Sequence, residues 1–151
     1  MIRTHRVLPV SLLLACAWPA LAADVAGMVK TSTGSVFIER ASKRLPALVG
    51  TEVQVADKLR TGEIGAVGVT LRDNTLLSAG PSSTLVIDKF VYDSTSQSGA
   101  MSINIRKGTL AVATGKIAKK TPESIDFHTP TSVLGVRGTE FVVEVGEGSD
   151  D

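Results

Sequence analysis

Along most of the chain, apolar and polar side chains alternate one by one. Val67, Val69 and Leu71 stand against Ala66, Gly68, Thr70 and Arg72, a period of two that belongs to a half-buried strand rather than a helix. The same alternation sets Met101, Ile103 and Ile105 against Ser102, Asn104 and Arg106, and Phe141, Val143 and Val145 against Glu140 and Glu144. Shorter strands are predicted at Val36 to Ile38, Val53 to Val55, Leu85 to Ile87 and Leu110 to Val112. Turn residues punctuate them at Gly50, Asp57, Gly62, Asp73-Asn74, Gly80-Pro81, Gly99, Gly108, Gly115 and Gly135. That spacing leaves no room for an ordinary helix of about ten residues. The pattern predicts an all-β fold. With aromatic residues at only 4%, the core must be filled by Val, Ile and Leu. An irregular β-solenoid or β-roll of short strands fits best, although no fixed repeat runs through it.

Four segments depart from the alternation. Asp93 to Gly99 (DSTSQSG) reads as a polar hairpin tip, and Lys116 to Glu123 (KIAKKTPE) as a basic loop. The tail 146–151 (GEGSDD) is acidic and apolar-free, and is predicted to be disordered. The fourth segment is the front of the chain. Arg3 and Arg6, the apolar stretch Val7 to Ala17 and the small-x-small site Ala20-Leu21-Ala22 make residues 1–22 a secretory signal peptide. The domain organisation is then signal peptide 1–22, all-β domain 23–145 and tail 146–151, with the product in the periplasm or secreted. Pro9 and Pro19 interrupt the uncharged run, which argues against an uncleaved membrane anchor. A lipoprotein is the other outcome, since Leu13-Leu14-Ala15-Cys16 resembles the box in which the cysteine is acylated.

Charge and composition remove whole classes of function. Lys and Arg number 16 and Asp and Glu 15, and losing Arg3 and Arg6 leaves 14 against 15, so no basic excess points to nucleic acid. Cys16 is the one cysteine, and past residue 22 the one histidine is His128. Neither a thiolate nucleophile nor a His/Cys metal shell can be assembled from that, and no cofactor or metal is predicted. Ala113-Thr114-Gly115-Lys116 lacks the second glycine and the Ser or Thr of a phosphate loop. His128 lies just before Thr129-Pro130, with no nucleophile elbow around any serine, and reads as a strand-end histidine rather than a general base. The chain is predicted not to be an enzyme.

The densest special sequence runs from Thr129 to Phe141 (TPTSVLGVRGTEF). Pro130 imposes an extended entry, and Gly135 and Gly138 flank Arg137 where the backbone could take positive φ. Arg137 then has two readings: its planar fork binds a carboxylate or phosphate, or it pairs with an acid or a backbone carbonyl inside the roll. Lys116, Lys119 and Lys120 offer a second basic spot, either for an anionic partner or as a solvated loop.

The Gly-x-x-Gly-Thr-x-Phe core of this stretch, with Gly135, Gly138, Thr139 and Phe141 after Pro130, resembles the signature of the FecR domain family. Asp57-Lys58-Leu59-Arg60-Thr61-Gly62 resembles the family's "gD-x-l-x-T-g" turn. Val67 to Leu77 resembles its strand, turn and strand, with Asp73 and Asn74 at the tip; Asn74 stands where glycine is common and can adopt a left-handed turn. Lys107-Gly108-Thr109-Leu110 resembles the following step, so the likeness runs from about Gly34 to Val145. It implies a non-catalytic all-β periplasmic or surface domain, best known from regulators of iron-transport signalling. In those, the domain sits beyond a cytoplasmic anti-sigma segment and one membrane span, and senses the signalling domain of an outer-membrane receptor. Here no cytoplasmic segment precedes the leader, and the chain stops six residues after the last predicted strand. Phe141 to Val145 is therefore expected to be an uncovered edge, a template for pairing with a partner or for self-association. The expected function is an exported binding or sensing module for an envelope protein or glycan. The alternative is a structural or assembly component of the envelope, as an oligomer or a wall-glycan binder.

Overall fold

The computed structural model describes residues 24–146. The predicted signal peptide, Cys16 and residues 147–151 of the tail lie outside the described residues. Within them the alternation becomes burial: Val67, Val69 and Leu71 are at most 3% exposed, while the residues between them face outward. Twelve strands form, β1 (Val25–Thr33), β2 (Val36–Arg40), β3 (Lys43–Pro46), β4 (Glu52–Gln54), β5 (Lys58–Thr61), β6 (Ala66–Leu71), β7 (Leu76–Ala79), β8 (Thr84–Tyr92), β9 (Gly99–Ala113), β10 (Ile125–His128), β11 (Val133–Gly135) and β12 (Glu140–Val145). The fold is all-β.

The 15-residue strand β9 is the spine. Along one flank run β8, beside Gly99 to Lys107, and β7, beside Leu110 to Ala113. Along the other run β10, parallel to Met101 to Asn104, and β12, antiparallel to Gly108 to Ala113. From β8 the sheet continues through β5 and β2 to β3, and from β7 through β6 and β1 to β4. These two wings curl around one core. Ile38, Leu59 and Ile87 come from one wing, Val29, Leu71 and Leu77 from the other, Ile103 and Leu110 from β9, and Phe127 of β10 closes the middle with no exposed surface.

Apart from β9 with β10, every ladder is antiparallel. The curl agrees with a roll, but coil-on-coil parallel stacking, which defines a β-solenoid, is not the pairing found. Gly108 does not break the chain into two strands as predicted. It takes φ +88° inside β9, where a Cβ would collide with Ser83. The Asp73-Asn74 turn spans Arg72 to Thr75, closed by Leu71 N–H to Thr75 C=O at 2.9 Å, with Asn74 at φ +68°. Asp93 to Ser98 forms the polar hairpin tip between β8 and β9.

The segment Lys116 to Glu123 is not a loop. It forms a short helix, α1 (Lys116–Lys120), then a 3-10 turn (Pro122–Ser124), because Ile117 is pulled wholly into the core. The buried Asp73 holds its start: Oδ2 accepts from the Ile117 N–H at 3.3 Å and the backbone oxygen from the Lys116 N–H at 2.8 Å.

Candidate interaction edge and outer face

Strand β12 has one neighbour, β9, among the described residues. Which of its backbone groups are spent on that neighbour follows from a single bond. The Thr114 N–H donates to the Thr139 C=O at 2.8 Å, so the Thr139 backbone faces β9. Backbone direction alternates along an antiparallel strand, so Phe141, Val143 and Val145 also bond toward β9. The N–H and C=O groups of Glu140, Val142 and Glu144 point to the opposite edge. That edge offers a row of donors and acceptors for an added strand.

Two grooves border the edge. One, of about 500 Å³, lies between the Thr129 to Ser132 turn and the end of β12, with Pro130, Leu134, Val143 and Val145 among its walls. Its turn is fixed locally, the Thr129 N–H donating to the Ser132 C=O at 2.8 Å and the Ser132 N–H to Thr129 Oγ1 at 3.0 Å. The other, of about 380 Å³, runs along the outer face of β7, β9 and β12 over Leu76, Ala111, Ala113 and Val142. Behind the edge the Phe141 ring meets Phe127 edge-on, centroids 5.0 Å apart. This contact anchors β12 from inside.

The residues singled out in the sequence separate into scaffold and surface. Asp57 is 1% exposed and accepts from Arg40 and from the Gln54 N–H. Its pairing raises the Arg40 guanidinium pKa further. Gly62 bonds to Ser35 and Ser82 around the β5 exit. Asp73 is fully buried and accepts from the Thr75 hydroxyl at 2.8 Å, and that hydroxyl in turn accepts from the Gly115 N–H at 3.0 Å. Thr139 receives Thr114, and Phe141 packs inward.

Around Arg137 the backbone differs from the expectation for its flanking glycines. Gly135 and Gly138 do not take positive φ, and a Cβ on either would meet nothing within 4 Å. Arg137 is exposed and makes no ion pair with a described residue, so it is not folded into the roll. Lys119 and Lys120 are exposed on the last turn of α1, and Lys116 is half-buried at its start. The Thr114 to Thr139 bond places α1 and the 136–139 segment at the same end of β9.

The outer face of the β8 wing carries polar groups that the sequence reading passed over. Cross-strand rows align Lys58 with Val86, Asn104 and His128, and Arg60 with Thr84 and Lys107. His128 Nε2 lies 2.8 Å from Asp126 Oδ2, and no hydroxyl bonds to its ring among the described residues. Charge is unevenly spread over the face: three acids, Asp88, Glu123 and Asp126, border one depression with Lys89, and four cations, Lys58, Arg60, Arg106 and Lys107, border another. On β2, the strand beyond β5, Glu39 pairs with Arg60 at 3.0 Å and Lys58 at 3.6 Å. The Arg60 hydrogen bond holds the Glu39 carboxyl below its usual range, against a smaller opposing effect of burial. The sequence signal for this cluster was the period-two Lys58-x-Arg60 and the doublet Arg106-Lys107. Their meeting depends on β5 and β9 both flanking β8.

The fold is an all-β curled sheet in which β12 pairs on one side only, with β9, among the described residues. Residues 57–151 match the family model described as FecR protein, and the chain belongs to the FecR family. No curated protein and no solved structure matches it.

Proposed function

We propose that this chain is an exported, non-catalytic FecR-domain module that binds or senses an envelope protein by adding the partner's strand to β12. The observation that carries this is the outward row of backbone groups at Glu140, Val142 and Glu144. An added strand would bond to all three while its side chains reach the groove over Leu76, Ala111 and Val142. The family membership supports a regulatory partner, and the signalling domain of an outer-membrane receptor is the partner proposed. Export rests on the leader read in residues 1–22.

The test is a photo-crosslinking residue placed at Glu144 of the full chain in the cell envelope. Crosslinks to a receptor's signalling domain, abolished by Val142→Pro, are the expected result. Crosslinks only between copies of the chain, with matching oligomers by light scattering, would move the reading to an assembly component using the same edge. Crosslinks unaffected by Val142→Pro would remove the strand-addition mechanism.

A further inference from the structure

We infer that the outer face of the β8 wing holds an oxyanion site, built from Lys58, Arg60, Thr84, Arg106 and Lys107, that takes a phosphate group. It lies on the face of the sheet, away from the β12 edge, and does not depend on the strand-addition reading. Its architecture starts from a β-bulge. Thr84 pairs with Lys107 and Leu85 with Ile105, so Arg106 is an extra residue in β9 with no partner in β8. A bulge re-aims side chains that strict alternation would send to opposite faces. Here it brings two consecutive cations, Arg106 and Lys107, to the one depression that Lys58 and Arg60 enter from β5.

Thr84, 6% exposed, forms the floor. Arg60 and Lys107 flank it on the two neighbouring strands, with Cα atoms about 10 Å apart at the usual strand spacing. Long side chains span that distance and can meet over the threonine. Four like charges gathered on adjacent strands repel one another. One carboxylate, Glu39, offsets part of this by pairing with Lys58 and Arg60. Arg106 and Lys107 make no ion pair with a described residue. The depression, about 80 Å³, suits a single small anionic group rather than a sugar ring or a peptide. Two guanidinium forks and two ammonium groups exceed what a carboxylate's two oxygens can use, and they match the several oxygens of a phosphate.

A phosphate could arrive free or on a lipid headgroup, and the experiment separates the two. The chain from residue 23 onward is titrated with inorganic phosphate, with backbone amide shifts read at Arg60, Thr84 and Lys107. In parallel it is sedimented with vesicles of phosphatidylglycerol or of phosphatidylcholine. Saturable shifts at those amides identify a free oxyanion as sufficient. Sedimentation with phosphatidylglycerol but not phosphatidylcholine, without such shifts, assigns the phosphate to a headgroup. In either case Arg106→Gln/Lys107→Gln should weaken binding roughly tenfold or more, as expected for removing two cations near an anionic surface. Lys119→Gln/Lys120→Gln, which removes the same charge from α1, should leave it within about twofold. Arg106 and Lys107 lie outside the core, so both double variants should keep the wild-type melting temperature. Absence of binding in both arms overturns the inference. Equal losses in the two double variants also overturn it, because binding would then follow net charge rather than a site.

Discussion

The Asp57 carboxylate grips the Arg40 guanidinium with both oxygens, Oδ1 accepting from Nε at 2.8 Å and Oδ2 from Nη2 at 2.6 Å. Oδ2 also accepts the Gln54 N–H, and Nη2 also donates to the Glu52 C=O, so the pair ties the end of β2 to the β4–β5 turn. Asp57 is 1% exposed and Arg40 29%, so the charge at risk is the carboxylate. Arg40→Ala is expected to cost about 2 kcal/mol by leaving a buried carboxylate short of donors. Arg40→Ala/Asp57→Asn should recover part of that loss. Urea denaturation of the two variants measures it, and equal losses would mean the pair is not coupled.

Glu39 gives a pH dependence whose sign follows from its lowered pKa. A carboxyl that ionises more readily in the folded than in the unfolded chain adds stability that is fully present above about pH 4.3, the unfolded value. That stability is lost as the pH falls through the lower folded value. Glu39→Gln should therefore flatten the acid limb of melting temperature against pH while changing little at neutral pH, where surface pairs contribute modestly.

Gly108 and Gly135 should respond oppositely to the same substitution. At Gly108, with φ +88° and a Cβ position occupied by Ser83, alanine is expected to cost at least about 2 kcal/mol. At Gly135, where a Cβ meets nothing within 4 Å, it should stay within about 0.5 kcal/mol. Thermal melts of the two single variants decide the point.

Proline separates the free edge of β12 from its paired one. At Val142 it removes an outward N–H and should leave the fold within about 1 kcal/mol of wild type while abolishing strand addition. At Val143 it removes a bond to β9 and should destabilise by about 3 kcal/mol, with or without a partner present. Melting temperature and crosslinking yield, measured together, distinguish the two positions.

Along the strands, the period of two was enough to read β6, β12 and the Met101 to Ile105 part of β9 and their inward residues, because which face a side chain takes is set locally by the pleat. Sheet order was not legible. β8 and β7 lie end to end along one flank of β9, and β10 and β12 along the other, through pairings between residues far apart in sequence. Local preference also failed at Ile117, where one buried side chain turned an apparently polar loop into α1, and at Gly108, where contact with Ser83 kept a turn residue inside a strand.

What the sequence by itself determined is the all-β class, the inward faces of the alternating strands β6 and β12, the turns at Asp57 and Asn74 and the motif that marks the FecR family, all of which depend on residues close together in the chain. Only the tertiary structure decided which edge of β12 is left unpaired among the described residues and which cations share a face. Both follow from the register of strands on β9: hydrogen bonds to one neighbour leave the other side open, and a one-residue bulge brings Arg106 and Lys107 together with Lys58 and Arg60.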